Sequence, residues 1–231
     1  MHGEKKLNIA ATSFIWPETR LYNAKKLVKF VNEIQLLYFQ SRSDFDCTED
    51  YEVMALSALP LDYTVHLPVD LDLSKSAGKN KMDSLIDKLL FLSPKAFIIH
   101  PIDSDVFKEY IVNLSNTIQP NIYIENIDSN INIFRQYKEL NIPLCFDIGH
   151  ALLQNVPVKN FIKQFCNSIK YIHLHGVNKN KDHQSIIHLD KKLLEYIIGF
   201  AKDYDITICL ELFNKIDFFE SLNIINNMVV R

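Results

Sequence analysis

Short apolar or β-branched runs recur along the whole chain, and each is followed by a longer stretch with helical spacing. The runs occupy residues 7–14, 34–39, 63–67, 96–100, 121–127, 143–148, 169–175 and 206–212. Between them, 24–32, 82–92, 106–117, 130–140, 159–167 and 191–203 read as helices. Phe107, Tyr110, Ile111 and Leu114, for example, fall at i, i+3, i+4 and i+7, the stripe that one face of a helix buries. Strands alternating with helices predict parallel βαβ units. Eight such units in 231 residues predict an α/β protein, a single (β/α)8 TIM barrel over 1–231, slightly below the typical size of that architecture. The doubly wound alternative wants a Gly-rich turn after its first strand. Only five glycines occur, none of them between Gly3 and Gly78.

The runs end on polar residues. His66, His100, Glu125, Asp147, His173 and Glu211 close runs three to eight, separated by 34, 25, 22, 26 and 38 residues. Each step is about one βα unit, so the six side chains are expected to converge on the C-terminal mouth, where barrel enzymes place their chemistry. Six of the eight histidines (His66, His100, His150, His173, His175 and His183) lie at or just after a strand end. Carboxylates beside apolar strands are costly to bury unless they are paired or bound to a cation. Imidazole and carboxylate donors together suit zinc, manganese or iron. His173 and His175 share a strand face, which leaves His175 open between metal ligand, support for a ligand and substrate contact.

Composition narrows the partners. Hydrophobic residues are 48% and charged residues 23%, an ordinary globular mix. Lys plus Arg is 25 against 28 Asp plus Glu, net −3, and only Arg20, Arg42, Arg135 and Arg231 are arginines. That balance argues against a nucleic-acid partner. No apolar run approaches the ~18 residues that span a bilayer, and the polar start MHGEKKLNIAATSF is unlike a signal-peptide core. A cytoplasmic protein with a small-molecule substrate is expected. Cys145 and Cys209 sit in apolar runs, Cys47 and Cys166 stand alone, and no CxxC occurs, so buried thiols are expected rather than a disulfide or a cysteine metal site.

The residue set resembles the xylose isomerase-like barrel superfamily (AP endonuclease family 2), which includes abasic-site endonucleases and many sugar isomerases and epimerases. The resemblance implies that Glu125, Asp147, His173 and Glu211 bind one metal ion. It also implies that His66, His100, His150 and the Asp182–His183 pair extend the site to two or three ions, as in the multinuclear hydrolases of that superfamily. A narrower resemblance is to cobamide-remodelling phosphodiesterases. It runs through Thr12–Pro17 (TSFIWP), VHLP at 65–68, His100-Pro101, Glu125-Asn126-Ile127, DIGH at 147–150, HLHG at 173–176, Asp182-His183 and Glu211-Leu212-Phe213. It implies hydrolysis of the nucleotide-loop phosphodiester of a corrinoid. Two departures bear on the ion count: Asp182 and His183 are adjacent where DNA-repair members have Asp-x-His, and strand two carries Gln35 and Gln40 where related barrels often have Glu.

On this reading Glu125, lying between the His66/His100 pair and the Asp147/His173/Glu211 set, bridges two ions, and Glu211 orients the attacking water. Lys75, Lys79 and Lys81 after strand three, and Lys179 and Lys181 after strand seven, are either phosphate contacts or solvated loop charges; Lys79 and Lys181 are the substrate candidates. Trp16 either stacks on a flat ligand or covers a helix. The alternative function is a sugar isomerase or epimerase with one ion on Glu125, Asp147, His173 and Glu211, which has little need for His66 and His100.

Overall fold

Alternation along each strand decides what lines the barrel. The computed structural model describes residues 6–41, 49–118, 121–127 and 131–229, with only the backbone for 131–133. Eight strands, β1 (Ile9–Thr12), β2 (Glu33–Leu37), β3 (Asp62–His66), β4 (Ala96–Ile99), β5 (Asn121–Glu125), β6 (Leu144–Asp147), β7 (Ile169–Leu174) and β10 (Thr207–Leu210), form the sheet. It closes in the order β1-β10-β7-β6-β5-β4-β3-β2, every pair parallel. Because side chains alternate with period two, each strand sends one set inward and the other out to the helices. Ile122 and Ile124 join the large core between sheet and helices, while Tyr123 packs on a separate inner cluster of Ala10, Ile98, Cys145, Tyr171 and Cys209. The inner cluster is small because polar side chains fill the rest of the interior: Glu33, Gln35, Thr64, His66, Glu125, Asp147 and His173 are all buried.

The outer ring comprises α1 (Arg20–Leu27), α2 (Asp50–Ser57), α3 (Ser76–Leu89), α4 (Asp105–Thr117), α5 (Ile131–Glu139), α6 (Ile148–Leu153), α7 (Val158–Phe165), α8 (Lys191–Tyr204) and α9 (Lys215–Val229). Ser104 and Asp190 start α4 and α8 as side-chain N-caps, accepting from the backbone N–H of Phe107 and Leu193. The α4 stripe Phe107, Tyr110, Ile111 and Leu114 is buried as its spacing predicts.

The structure corrects several expected boundaries. The strands stop short of 100, 127, 148 and 175: His100, Asn126 and His175 follow the last paired residues, and Ile148 already begins α6. Helix α3 starts at Ser76, so Lys79 and Lys81 are helical rather than loop residues. After β7 comes an antiparallel hairpin, β8 (Gly176–Asn178) and β9 (Lys181–Gln184), whose turn residues Lys179 and Asn180 have φ of 49° and 64°. Positive φ at both central positions is the turn geometry that matches strand twist, here without the glycine that normally signals it. Cys145, Cys166 and Cys209 are free thiols; Cys47, His2, Arg42 and Arg231 lie outside the described residues. Among the described residues no helix is long and apolar enough to cross a membrane.

Candidate metal centre

The six residues at the strand ends meet at one mouth, and Glu125 is their centre. Its side chain is buried at the end of β5, and its two oxygens face different partners. Oε2 lies 3.0 Å from His66 Nε2 and 3.3 Å from His100 Nε2. Oε1 lies 2.8 Å from His173 Nδ1. Among the described residues, three donor groups each fit within 4.8 Å: His66/His100/Glu125, Glu125/Asp147/His173/Glu211 and His150/His175/His183. Glu125 belongs to two of them.

Electrostatics separates the three acids. Burial alone would raise Glu125, but the facing His173 and hydrogen bonds from His100, His173 and His66 hold its carboxyl well below the usual range. Burial likewise works against Asp147, and the facing His175 and His150 overcome it to push its pKa down. For Glu211, burial and the neighbouring Glu125 and Asp147 charges push the carboxyl well above its ordinary value. Its Oε2 is buried without a hydrogen-bond partner although His173 Nδ1 lies 3.3 Å away. An orphaned carboxylate oxygen beside two buried carboxylates and an imidazole fits a divalent cation, which would satisfy that oxygen and remove the repulsion. Glu125, Asp147, His173 and Glu211 would hold one ion, and His66 with His100 a second against Glu125.

The histidines are oriented by their other ring nitrogen, as metal ligands are. His66 Nδ1 lies 3.0 Å from the Leu67 carbonyl, His150 Nδ1 3.1 Å from that of Asn126, and His183 Nδ1 3.1 Å from that of Glu211. Donation there leaves each Nε2 with a lone pair for the site. Burial lowers the pKa of His66, and burial with the adjacent His175 takes His183 down to about 4, so both are neutral near pH 7. His100 goes the other way: its burial is outweighed by Glu125, which raises it.

His175 is beneath the mouth rather than on it. It is wholly buried; its Nδ1 accepts the His183 backbone N–H at 2.9 Å, and its Nε2 lies 3.2 Å from Asp147 Oδ1. Burial lowers its proton affinity and the Asp147 carboxylate more than restores it. The neutral form protonated at Nε2 satisfies both contacts, so His175 supports Asp147 and the His183 backbone, one of the three roles its strand face leaves open. Gly149, in α6, makes room for it: a Cβ there would overlap the His175 ring, at 2.5 Å from Nε2 and closer to Cε1 and Nδ1.

The other substrate candidates separate. Trp16 packs edge-on to Tyr22 of α1 and Phe219 of α9, each with ring centroids 6.3 Å apart, so it covers helices. Lys79 is half-buried over the Tyr110 ring of α4 in the outer ring, 5.6 Å from its centroid, which corrects its assignment to a substrate loop. Lys75 is paired with Asp72 at 2.8 Å. Lys181 remains exposed on the hairpin with Lys179. Asp182 is outside the three donor groups, with Oδ2 3.8 Å from His183 Nε2.

Three supporting residues were not given roles by the sequence. Asn126 accepts the Asp147 N–H at 2.6 Å and donates to the Asp147 carbonyl at 2.8 Å, a side chain standing in for a ladder partner. Phe39 meets the His66 ring edge-on at 4.6 Å, and Phe213 lies 4.5 Å from the His183 ring. The signal for Asn126 is its place beside Glu125 and for Phe213 its place in the Glu211-Leu212-Phe213 segment; nothing local marks Phe39.

No protein-family model and no curated relative matches this sequence. Solved structures do match its fold. A D-tagatose 3-epimerase-like protein is 17% identical with a TM-score of 0.76, covering 97% of each chain. A 3-keto-D-glucoside 4-epimerase from E. coli is 8% identical with a TM-score of 0.70, covering 98% of this chain and 100% of that one. An AP endonuclease of family 2 from Brucella melitensis is 10% identical with a TM-score of 0.67, covering 91% and 94%. Likeness at such identities shows the fold alone, a (β/α)8 barrel. Several of the similar structures are named as sugar epimerases or isomerases. The cobamide resemblance gains no support from them.

Proposed function

We propose that this barrel is a metal-dependent phosphodiesterase with two or three divalent ions, acting on the nucleotide-loop phosphodiester of a cobamide. One observation carries the hydrolase part: the two oxygens of Glu125 face separate donor sets, His66 with His100 on one side and His173 on the other. That is the disposition of a bridging carboxylate, which an enzyme with one ion has no use for. The cobamide part rests on VHLP, DIGH and HLHG, and a small-molecule partner on the net charge of −3.

Divalent ions in such a site supply Lewis-acid activation of water and neutralise charge on the phosphoryl oxygens. The chain does the rest. Glu125 keeps the two donor sets adjacent, and Asn126 and His175 fix Asp147 from behind. Glu211 would orient the attacking water and take its proton, a base once bound cations have offset the repulsion that raises its carboxyl. Phe39 and Phe213 screen His66 and His183 from solvent, and Lys181 on the hairpin meets the substrate phosphate. Water adds to phosphorus as the bond to the corrinoid oxygen breaks, and the proton held by Glu211 passes to that departing oxygen, giving a cobinamide-type corrinoid and a phosphorylated α-riboside.

A second reading has its own support: Glu125, Asp147, His173 and Glu211 form a complete set for one ion, and the similar structures are mostly named as epimerases and isomerases. In it the two glutamates move protons at a sugar carbon. The test is to load the protein with manganese, zinc or iron and count ions per chain. Cobamides, bis(p-nitrophenyl) phosphate, abasic DNA and ketohexoses in D2O are then compared. Two or more ions with cobamide cleavage that His66→Ala abolishes is the expected result. One ion per chain, with deuterium entering a ketohexose and His66→Ala still active, overturns it in favour of the epimerase.

A further inference from the structure

Gln35 is one of the polar side chains in the barrel interior that the mechanism does not use. It is fully buried on β2, and its amide reaches across the barrel to β7, where Nε2 lies 2.6 Å from His173 Nε2. Strands β2 and β7 are separated by β1 and β10 in the sheet, so this contact spans the interior. On the other side of the amide, Oε1 accepts from Cys209 Sγ at 3.5 Å. His173 is therefore the exception among the oriented histidines. Its Nε2 is held by Gln35, and its Nδ1 is the atom turned to the acids, 2.8 Å from Glu125 Oε1 and 3.3 Å from Glu211 Oε2.

We propose that Gln35 is the positioning residue for His173, an amide that supports both tautomers of the ring and so lets it exchange a carboxylate for a metal ion at Nδ1. This rests on the metal-centre reading above. Without an ion, Nδ1–H donates to Glu125 and the Gln35 amide N–H donates to the Nε2 lone pair. With an ion, Nδ1 must present its lone pair, so the neutral ring carries its proton on Nε2. One proton leaves Nδ1, one is gained at Nε2, and the charge is unchanged. The new Nε2–H then needs an acceptor, because a buried donor left unmade costs about 1–3 kcal/mol. Rotating the Gln35 amide by half a turn presents Oε1. A hydrocarbon side chain serves neither state, whereas glutamate serves the ion-bound state through the carboxylate–histidine–metal arrangement.

The test has three arms. Zinc affinity is measured by competition with a chelator on wild type, Gln35→Leu and Gln35→Glu. Loss of a partner behind a ligating histidine typically costs about 10- to 100-fold in affinity, which is the expected loss for Gln35→Leu, with Gln35→Glu recovering it. Two-bond nitrogen–proton NMR on 15N-histidine wild type reads the tautomer directly: His173 is expected as Nδ1–H without zinc and Nε2–H with it. Gln35→Leu binding zinc as wild type does, or His173 keeping one tautomer in both states, overturns the proposal. Wild type that binds no divalent ion overturns the metal reading instead, and the tautomer in ion-free protein, Nδ1–H or Nε2–H, still judges how Gln35 holds the ring.

Discussion

Replacing Gly149 with alanine puts the packing of the centre to a quantitative test. A Cβ at this position would sit 2.5 Å from His175 Nε2 and closer to two other ring atoms, where apolar contacts settle near 3.5–4.0 Å. The ring would have to retreat by at least about 1 Å, the difference between those two distances. It has nowhere to go, being buried and tied to Asp147 on one side and the His183 N–H on the other. Overpacking of this kind costs about 1–3 kcal/mol, and the two strained hydrogen bonds add about 1 kcal/mol each. Against this, alanine in a helix is favoured over glycine by about 1 kcal/mol. The balance is a loss of about 2–4 kcal/mol, the sum of those terms. For a domain of this size it corresponds to a Tm lower by roughly 5–15 °C. Thermal denaturation of ion-free wild type and Gly149→Ala reads the stability, and ion content after reconstitution reads the site, with fewer ions expected in the variant. The helix term gives the experiment a clear opposite result. A Tm that rises or holds would show that His175 does not pack against α6, and its role behind Asp147 would fall with it.

Glu125→Gln keeps the size of the side chain but removes the charge between the donor sets. At least one ion per chain should be lost and turnover should drop about a thousand-fold, which is ~4 kcal/mol of barrier; elemental analysis and steady-state rates check both. Asn126→Leu leaves the Asp147 N–H and carbonyl buried without their partner, so denaturant unfolding should show a loss of about 1–3 kcal/mol together with weaker ion binding. Acid acts through His183. Its folded pKa of about 4 lies below the unfolded value, so the unfolded chain binds more protons as pH falls through the interval between them. The stabilisation is complete above the unfolded pKa near 6.5, and it is lost as pH falls toward 4. The stability difference between ion-free wild type and His183→Gln should therefore grow on going from pH 4 to pH 6.5. A flat difference would mean that His183 titrates normally.

The barrel was legible because its two periodicities are strong and because one βα unit is a nearly constant length of chain. The same regularity made the mouth readable: a polar residue closing an apolar run at each step can only be there for the site. What escaped were features set by tertiary contact. Helix α2 is a single short element with no clean apolar stripe, so its pattern resembles a loop. Lys79 reads as a loop cation because the helical spacing is clear only from residue 82, yet α3 starts at Ser76 and buries Gly78 against the Asp72 backbone. His175 could not be assigned because the answer lies in a backbone N–H eight residues later and in a missing Cβ on α6. Gln35 is a departure at strand two, but its partner comes from the far wall, which no local pattern reports.

The location of His183 has a consequence for how such a site changes over evolutionary time. His66, Asp147 and His173 are part of the staves themselves, and Glu125 ends one, so substituting them disturbs the frame that every other function of the barrel depends on. His183 is carried by the β8–β9 ribbon, which is paired only with itself and lies outside the closed sheet. It also holds a backbone φ of 48°, unusual for a residue with a side chain and dependent on the local turn. Lengthening, shortening or re-registering this ribbon would delete or restore one imidazole while the eight staves stay paired as they are. On the proposed reading, the number of ions held, and with it the choice between proton transfer and hydrolysis, is open to change by mutation in this ribbon while the eight-stranded cage stays intact.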